Sequence, residues 1–109
     1  MRKSLITIIL FVAVVFQFCS TAKKAQVAPT TTFAASVQPI IQANCGPCHL
    51  DGGKQANLNS YAAAQFKIDD IIARIQKNPN EKGFMPFRHP KLPDSTIQVF
   101  VKWKNEGLL

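Results

Sequence analysis

Within five consecutive residues the chain carries two thiols and an imidazole, as Cys45-Gly46-Pro47-Cys48-His49. On a helical turn, side chains three and four positions apart share a face, so Cys45, Cys48 and His49 point the same way. Two thiols so placed reach the two vinyl groups on one edge of a haem while the imidazole comes up beneath the iron. Cys-x-x-Cys-His is accordingly the sequence mark of c-type haem attachment. Two other chemistries use the same residues. Cys45 to Cys48 matches the thioredoxin redox tetrapeptide, but that dithiol follows a β-strand in a βαβ setting, and residues 36–44 read as a short helix. A structural zinc site needs four ligands, which Cys45, Cys48, His49 and His89 would have to supply. His49 adjoins Cys48 rather than being spaced to close a tetrahedron.

The segment in front of this motif says where the chemistry takes place. Arg2 and Lys3 precede an apolar run from Leu5 to Phe18, broken only by Thr7 and Gln17. A short basic stretch followed by such a run reads as a bacterial export signal. The run is shorter than the roughly 20 residues that usually span a bilayer, and an uncleaved anchor stays open. Ser20-Thr21-Ala22 offers small residues for cleavage after Ala22. Phe16 to Ser20 also resembles a lipoprotein signal with Cys19 as the lipid-bearing residue, departing from that pattern at Phe16 and Phe18. The expected organisation is an export segment over 1–19, a Lys/Ala/Pro/Thr tether over 20–32, and one folded domain over 33–109. The location is the bacterial periplasm, with membrane anchoring through Cys19 or the N-terminal segment as an open option.

At 109 residues the chain has room for one small domain and none for a two-domain enzyme with a separate cofactor module. Thirteen Lys and Arg against six Asp and Glu give a formal charge of +7, which suits an acidic partner. Nucleic acid is excluded as that partner, because an exported chain without a compact Arg and aromatic patch lacks the means to hold it. Three cysteines would leave one unpaired in a disulfide framework. Two belong to the haem motif and the third to the export segment.

A haem that transfers electrons needs a sixth iron ligand. Met85 is the only methionine outside the export segment and follows His49 by 36 residues. Pro86 biases it towards an extended backbone that projects the thioether sideways. His89 competes for the role. Phe84 and Phe87 are expected to wall the distal pocket. A Met/His pair raises the reduction potential above that of nitrogen-only ligation.

Helical periodicity fills the rest of the chain. Ser36 is the expected N-cap of a first helix with Pro39 in its first turn. Val37, Ile40 and Ile41 form its apolar stripe. Leu50 to Gly53 breaks that helix and opens a loop around the haem. Ser60 is expected to cap a short Ala-rich helix, and Ile68, Ile71, Ile72 and Ile75 mark a further one running to about Lys77. Asp94 or Ser95 caps the last, whose apolar face is Ile97, Phe100, Val101, Trp103 and Leu108. No strand pattern occurs, so the fold class is all-α.

From Phe33 to Leu109 the chain resembles the small bacterial class I c-type cytochromes. The resemblance rests on Cys45, Cys48, His49, Met85-Pro86 and a closing stretch, Leu92 to Gly107, with Trp103 and Gly107 in Trp-x-x-x-Gly spacing. Many relatives carry Met-Pro-Pro where this chain has Met85-Pro86-Phe87. The resemblance implies three to five short helices around one covalently attached haem c, with His49 and Met85 on the iron. It also implies that the first and last helices cross, with Trp103 against the Val37–Ile41 face. The expected function is single-electron transfer between redox protein partners, without a catalytic acid or base. Lys54, Lys67, Lys77, Lys82, Arg88 and Lys91 are candidates to ring the haem edge and steer an acidic docking surface. Asp51, Asp69, Asp70 and Glu81 read as caps or solvated groups. A haem sensor or peroxidase-like domain with an open distal site is one alternative, and a haem subunit of a larger membrane oxidoreductase is another.

Overall fold

A computed structural model describes residues 30–109. The export segment and most of the tether lie outside the described residues, as do the readings of Cys19 and Ala22. The fold is entirely helical among the described residues.

Two threonines at the end of the tether, Thr31 and Thr32, lead into the first helical turn. Thr31 is buried, and its N–H donates to a carboxylate oxygen of Glu106 at 2.7 Å. The Thr32 hydroxyl accepts from the N–H of Ala35 and caps a π-helical turn, Phe33–Val37. That turn runs directly into α1, Gln38–Asn44, with Pro39 in its first turn. The cap is therefore Thr32 and not Ser36. The extra turn upstream adds Phe33 to the apolar face, so Phe33, Val37 and Ile41 form one buried line.

α2 spans Tyr61–Ile75, with the Ser60 hydroxyl accepting from the N–H of Ala63. The Ala-rich segment and the Ile-rich segment are one helix rather than two. Ala64, Ile68, Ile71 and Ile75 recur at spacings of four and three and keep one face buried throughout. α3 spans Asp94–Asn105. Its N-cap position is held by Pro93, without a side-chain cap bond, and Asp94 is instead the first helical residue. There its charge favours the helix N-terminus through the macrodipole. α3 ends in a Schellman motif. The Leu108 N–H donates to the Trp103 carbonyl and the Gly107 N–H to the Lys104 carbonyl, with Gly107 at φ +93°.

α3 packs on both α2 and the π-helical turn. Trp103 is fully buried at the centre of that contact. Its ring lies 5.7 Å from Phe33 and 6.1 Å from Tyr61, and those two rings stand edge-on at 5.9 Å. The aromatic contact thus falls at Phe33, one turn before the expected Val37–Ile41 stripe. The polar ends of the cluster are satisfied: Trp103 Nε1–H donates to the Leu109 carbonyl and the Tyr61 hydroxyl to that of Leu108. Complete burial of Val37 and Ile41 stabilises the fold by roughly 1.5–3 kcal/mol each. With these contacts fixed, two long loops, 45–60 and 76–93, are left to face each other across one side of the bundle.

Candidate functional site

The Cys-x-x-Cys-His segment begins where α1 ends. Cys45 is the C-cap, its N–H donating to the Ile41 carbonyl, and the His49 N–H donates to the Cys45 carbonyl at 2.9 Å. One more helical turn is therefore wound through the motif. Gly53 then folds back so closely that a Cβ there would overlap the carbonyl oxygens of Pro47 and Cys48.

A cavity of about 530 Å³ opens beside this turn. Cys45, Cys48 and His49 line it from the first loop, and Met85, Pro86 and Phe87 from the second. Leu58, Ile71, Ile75, Leu92 and Phe100 supply apolar lining. Cavities of this size and character take a cofactor-sized ligand. The structure thus brings together all four residues singled out for the cofactor, and His89 lines the same cavity. Phe87 is at its lining and largely exposed, whereas Phe84 is buried but is not part of the lining, contrary to the expected pairing.

The imidazole of His49 is oriented by the backbone. Its Nδ1 lies 2.9 Å from the Ala56 carbonyl. A carbonyl only accepts, so Nδ1 carries the proton and Nε2 keeps its lone pair for a metal. Such an outer hydrogen bond fixes ring orientation and raises ligand basicity. Both motif thiols are free. Burial pushes the Cys45 thiol up to about 11. A redox dithiol needs the opposite shift, and among the described residues the motif follows α1 and no strand precedes it, which disfavours the thioredoxin reading. Among the described residues no three His, Cys, Asp or Glu side chains converge to hold a metal ion. Two free thiols, an imidazole with an available Nε2 and a thioether around one apolar cavity are a donor set that fits a thioether-linked haem.

No protein-family description matches the chain, and no solved structure does. The chain is 35% identical over 69 residues to a cytochrome c6 of Leptolyngbya boryana, a match covering 60% of this chain and 81% of that protein. It belongs to the small class I c-type cytochromes. As a member it is an electron carrier, not an enzyme, and its cofactor is one covalently bound haem c with iron.

The charged surroundings of this cytochrome's cavity differ from those expected. Of the six basic residues named as a ring, Lys67 alone lines the cavity. Lys91 lines a smaller neighbouring recess with His89 and Leu92, and Arg88 lies over the Phe87 ring at 5.0 Å. Arg74 lines the cavity as well, held by Asp70 at 2.8 Å. Sequence reasoning missed Arg74, although the Asp70–Arg74 spacing of four on one helix is a legible ion-pair signal. Gly53 was read only as a helix breaker, because close backbone approach leaves no mark on local pattern. Asp69 pairs with Lys104 at 2.6 Å, and Glu81 accepts from the Asn78 N–H as a loop cap.

Proposed function

We propose that this cytochrome is an exported, periplasmic single-electron carrier. In this reading Cys45 and Cys48 form the two thioethers, His49 is the proximal ligand and Met85 the distal one. The observation that carries it is the meeting of these four side chains around one cavity, with His49 Nδ1 committed to the Ala56 carbonyl. Haem c supplies a one-electron Fe(III)/Fe(II) couple.

The chain's own residues then divide the work. Cys45 and Cys48 keep the cofactor from being lost. His49 is held in one tautomer by the Ala56 carbonyl, which leaves Nε2 as the nitrogen that would hold the iron. Met85, a weak neutral donor, closes the distal side to small ligands and raises the reduction potential. Cys48, Ala56 and Phe87, all exposed residues at the cavity, leave one edge within reach of a partner. Lys67 at the cavity and Arg88 over the Phe87 ring add positive charge near that edge, suited to an acidic redox protein, while the charge of Arg74 is offset by Asp70. The segment 1–19 directs export, after which the domain is either released by cleavage after Ala22 or kept at the membrane through Cys19 or the apolar run.

The deciding experiment is a UV–visible spectrum of periplasmically expressed protein, ferric and ferrous. A low-spin c-type spectrum, haem that resists acid–acetone extraction and a far-red Fe–S(Met) band in the ferric state are expected. Extractable haem overturns the thioether assignment. A ferric spectrum without the far-red band transfers the distal role to His89 or opens the site, as a sensor or peroxidase-like domain would require.

A further inference from the structure

The loop that carries Met85 leaves α2 and returns to it at almost the same place. The Met85 N–H donates to the Arg74 carbonyl at 3.3 Å, and that oxygen also accepts from the Lys77 N–H at 3.3 Å. Shared between two donors, each of these bonds is long and weak. The short tie is made by a side chain. Lys77 Nζ donates to the Lys82 carbonyl at 2.8 Å, crossing the neck of the loop. A charged donor roughly doubles the strength of such a bond. Within the loop, the Glu81 carboxylate accepts from the Asn78 N–H, the Glu81 N–H donates back to the Asn78 carbonyl, and the Phe84 N–H donates to Glu81. These bonds stiffen the turn but do not connect it to the helix. Gly83 sits where the lysine crosses, at φ +85°, and a Cβ there would stand 3.3 Å from Lys77 Nζ and 3.5 Å from Arg74 Nη1. A side chain at residue 83 would crowd the ammonium and strain the backbone.

Beyond Met85 the backbone bond up to Pro93 is His89 N–H to Pro86, and the next buried anchor is Leu92, seven residues on. The register of Met85 against Ile71 and Ile75, the two α2 residues that line the cavity beside it, is therefore set at the neck. We infer that Lys77 is a positioning residue: by clamping the Lys82 carbonyl to the end of α2 it keeps the Met85 thioether seated in the cavity and limits entry of competing ligands. The inference rests on Met85 being the distal ligand.

The test uses haem-loaded protein and imidazole as the probe. Wild type, Lys77→Leu, Lys77→Arg and Met85→Ala are titrated in the ferric state while the far-red band is followed. Lys77→Leu should bind imidazole about tenfold more tightly than wild type, equivalent to about 1.4 kcal/mol, with a weakened far-red band. Lys77→Arg, which keeps a charged donor, should restore the wild-type values, and Met85→Ala should bind tightest. A wild-type affinity and band in Lys77→Leu, beside a wild type that shows the band, overturns the role of Lys77 and leaves Met85 in place. A wild type without the band, or an affinity unchanged in Met85→Ala, overturns the Met85 reading instead. Should Lys77→Leu fail to accumulate with haem, Lys77→Met, which keeps the length and removes the donor, is read in the same titration against the same two outcomes.

Discussion

The two loops that face each other across the cavity are held in different ways. The loop from Cys45 to Ser60 is stitched along its length: His49 bonds Ala56, the Leu58 N–H donates to the His49 carbonyl at 2.8 Å, and the Gln55 N–H to Cys48 at 3.0 Å. Asn59 is pinned from α1 by Gln38 and Gln42, and Asn57 bridges Asp51 and the Asn59 N–H. The loop with Met85 is bonded to α2 through one shared backbone acceptor and one lysine, and is otherwise anchored by the buried side chains of Phe84 and Leu92. The loop with the two thiols and His49 is thus cross-linked by its own hydrogen bonds, whereas the loop with Met85 has few. In the proposed reading this asymmetry suits an electron carrier, because attachment chemistry needs fixed thiols.

The largest expected effect removes what both loops wrap. A domain of this size rarely supplies more than about 3–5 kcal/mol from its core alone, so the haem-free chain should show no cooperative near-UV CD melt. A sharp melt would mean that the stitched loop and the aromatic cluster suffice. In the holoprotein, added denaturant should abolish the far-red Fe–S band before near-UV CD changes, since loops with few ties open at lower free energy. Coincident loss of the two signals would erase the contrast between the loops. Gly53→Ala pushes a methyl into the carbonyls of Pro47 and Cys48, and overpacking of this kind costs about 1–3 kcal/mol of unfolding free energy. Asn59→Ala removes the acceptor that Gln38 and Gln42 share, for about 1 kcal/mol by denaturant titration.

The smallest effect lies outside both loops and serves as their control. The Thr31 N–H beside Glu106, helped by Lys102, holds that carboxyl below the usual carboxylate range. A depressed folded value means the contribution is complete above the ordinary carboxylate range and is lost as the pH falls through the folded value. Glu106→Gln should flatten stability against pH at that acidic end, leaving the haem spectrum and the imidazole affinity unchanged.

What could be read in the sequence divides along the same line as the two loops. The proximal chemistry is contiguous, so Cys45, Cys48 and His49 announce themselves by spacing. The core faces of α1, α2 and α3 were legible as stripes, since burial selects apolar residues at helical intervals. The join between the two halves of α2 was hidden because Ala64 is too small to signal a buried position. Thr32 was passed over because a π-helical turn precedes the α-helix and moves the cap one turn upstream. Trp103 was read as a core residue, but its partners Phe33 and Tyr61 are remote in the chain and no local pattern pairs them. The clamp at Lys77 joins two lysines in sequence terms, which reads as repulsion. It becomes attraction because the acceptor is a main-chain carbonyl, and sequence does not say where carbonyls point.

That distinction has a consequence at His49. Its orienting partner is the backbone oxygen of Ala56, a residue at the cavity. The bond is made by the main chain, so a substitution at residue 56 that keeps the backbone path and fits the cavity keeps the tautomer of the imidazole. Should His49 and Met85 be the two ligands, substitutions near Met85, which has fewer backbone ties, should move the reduction potential more than substitutions at residue 56.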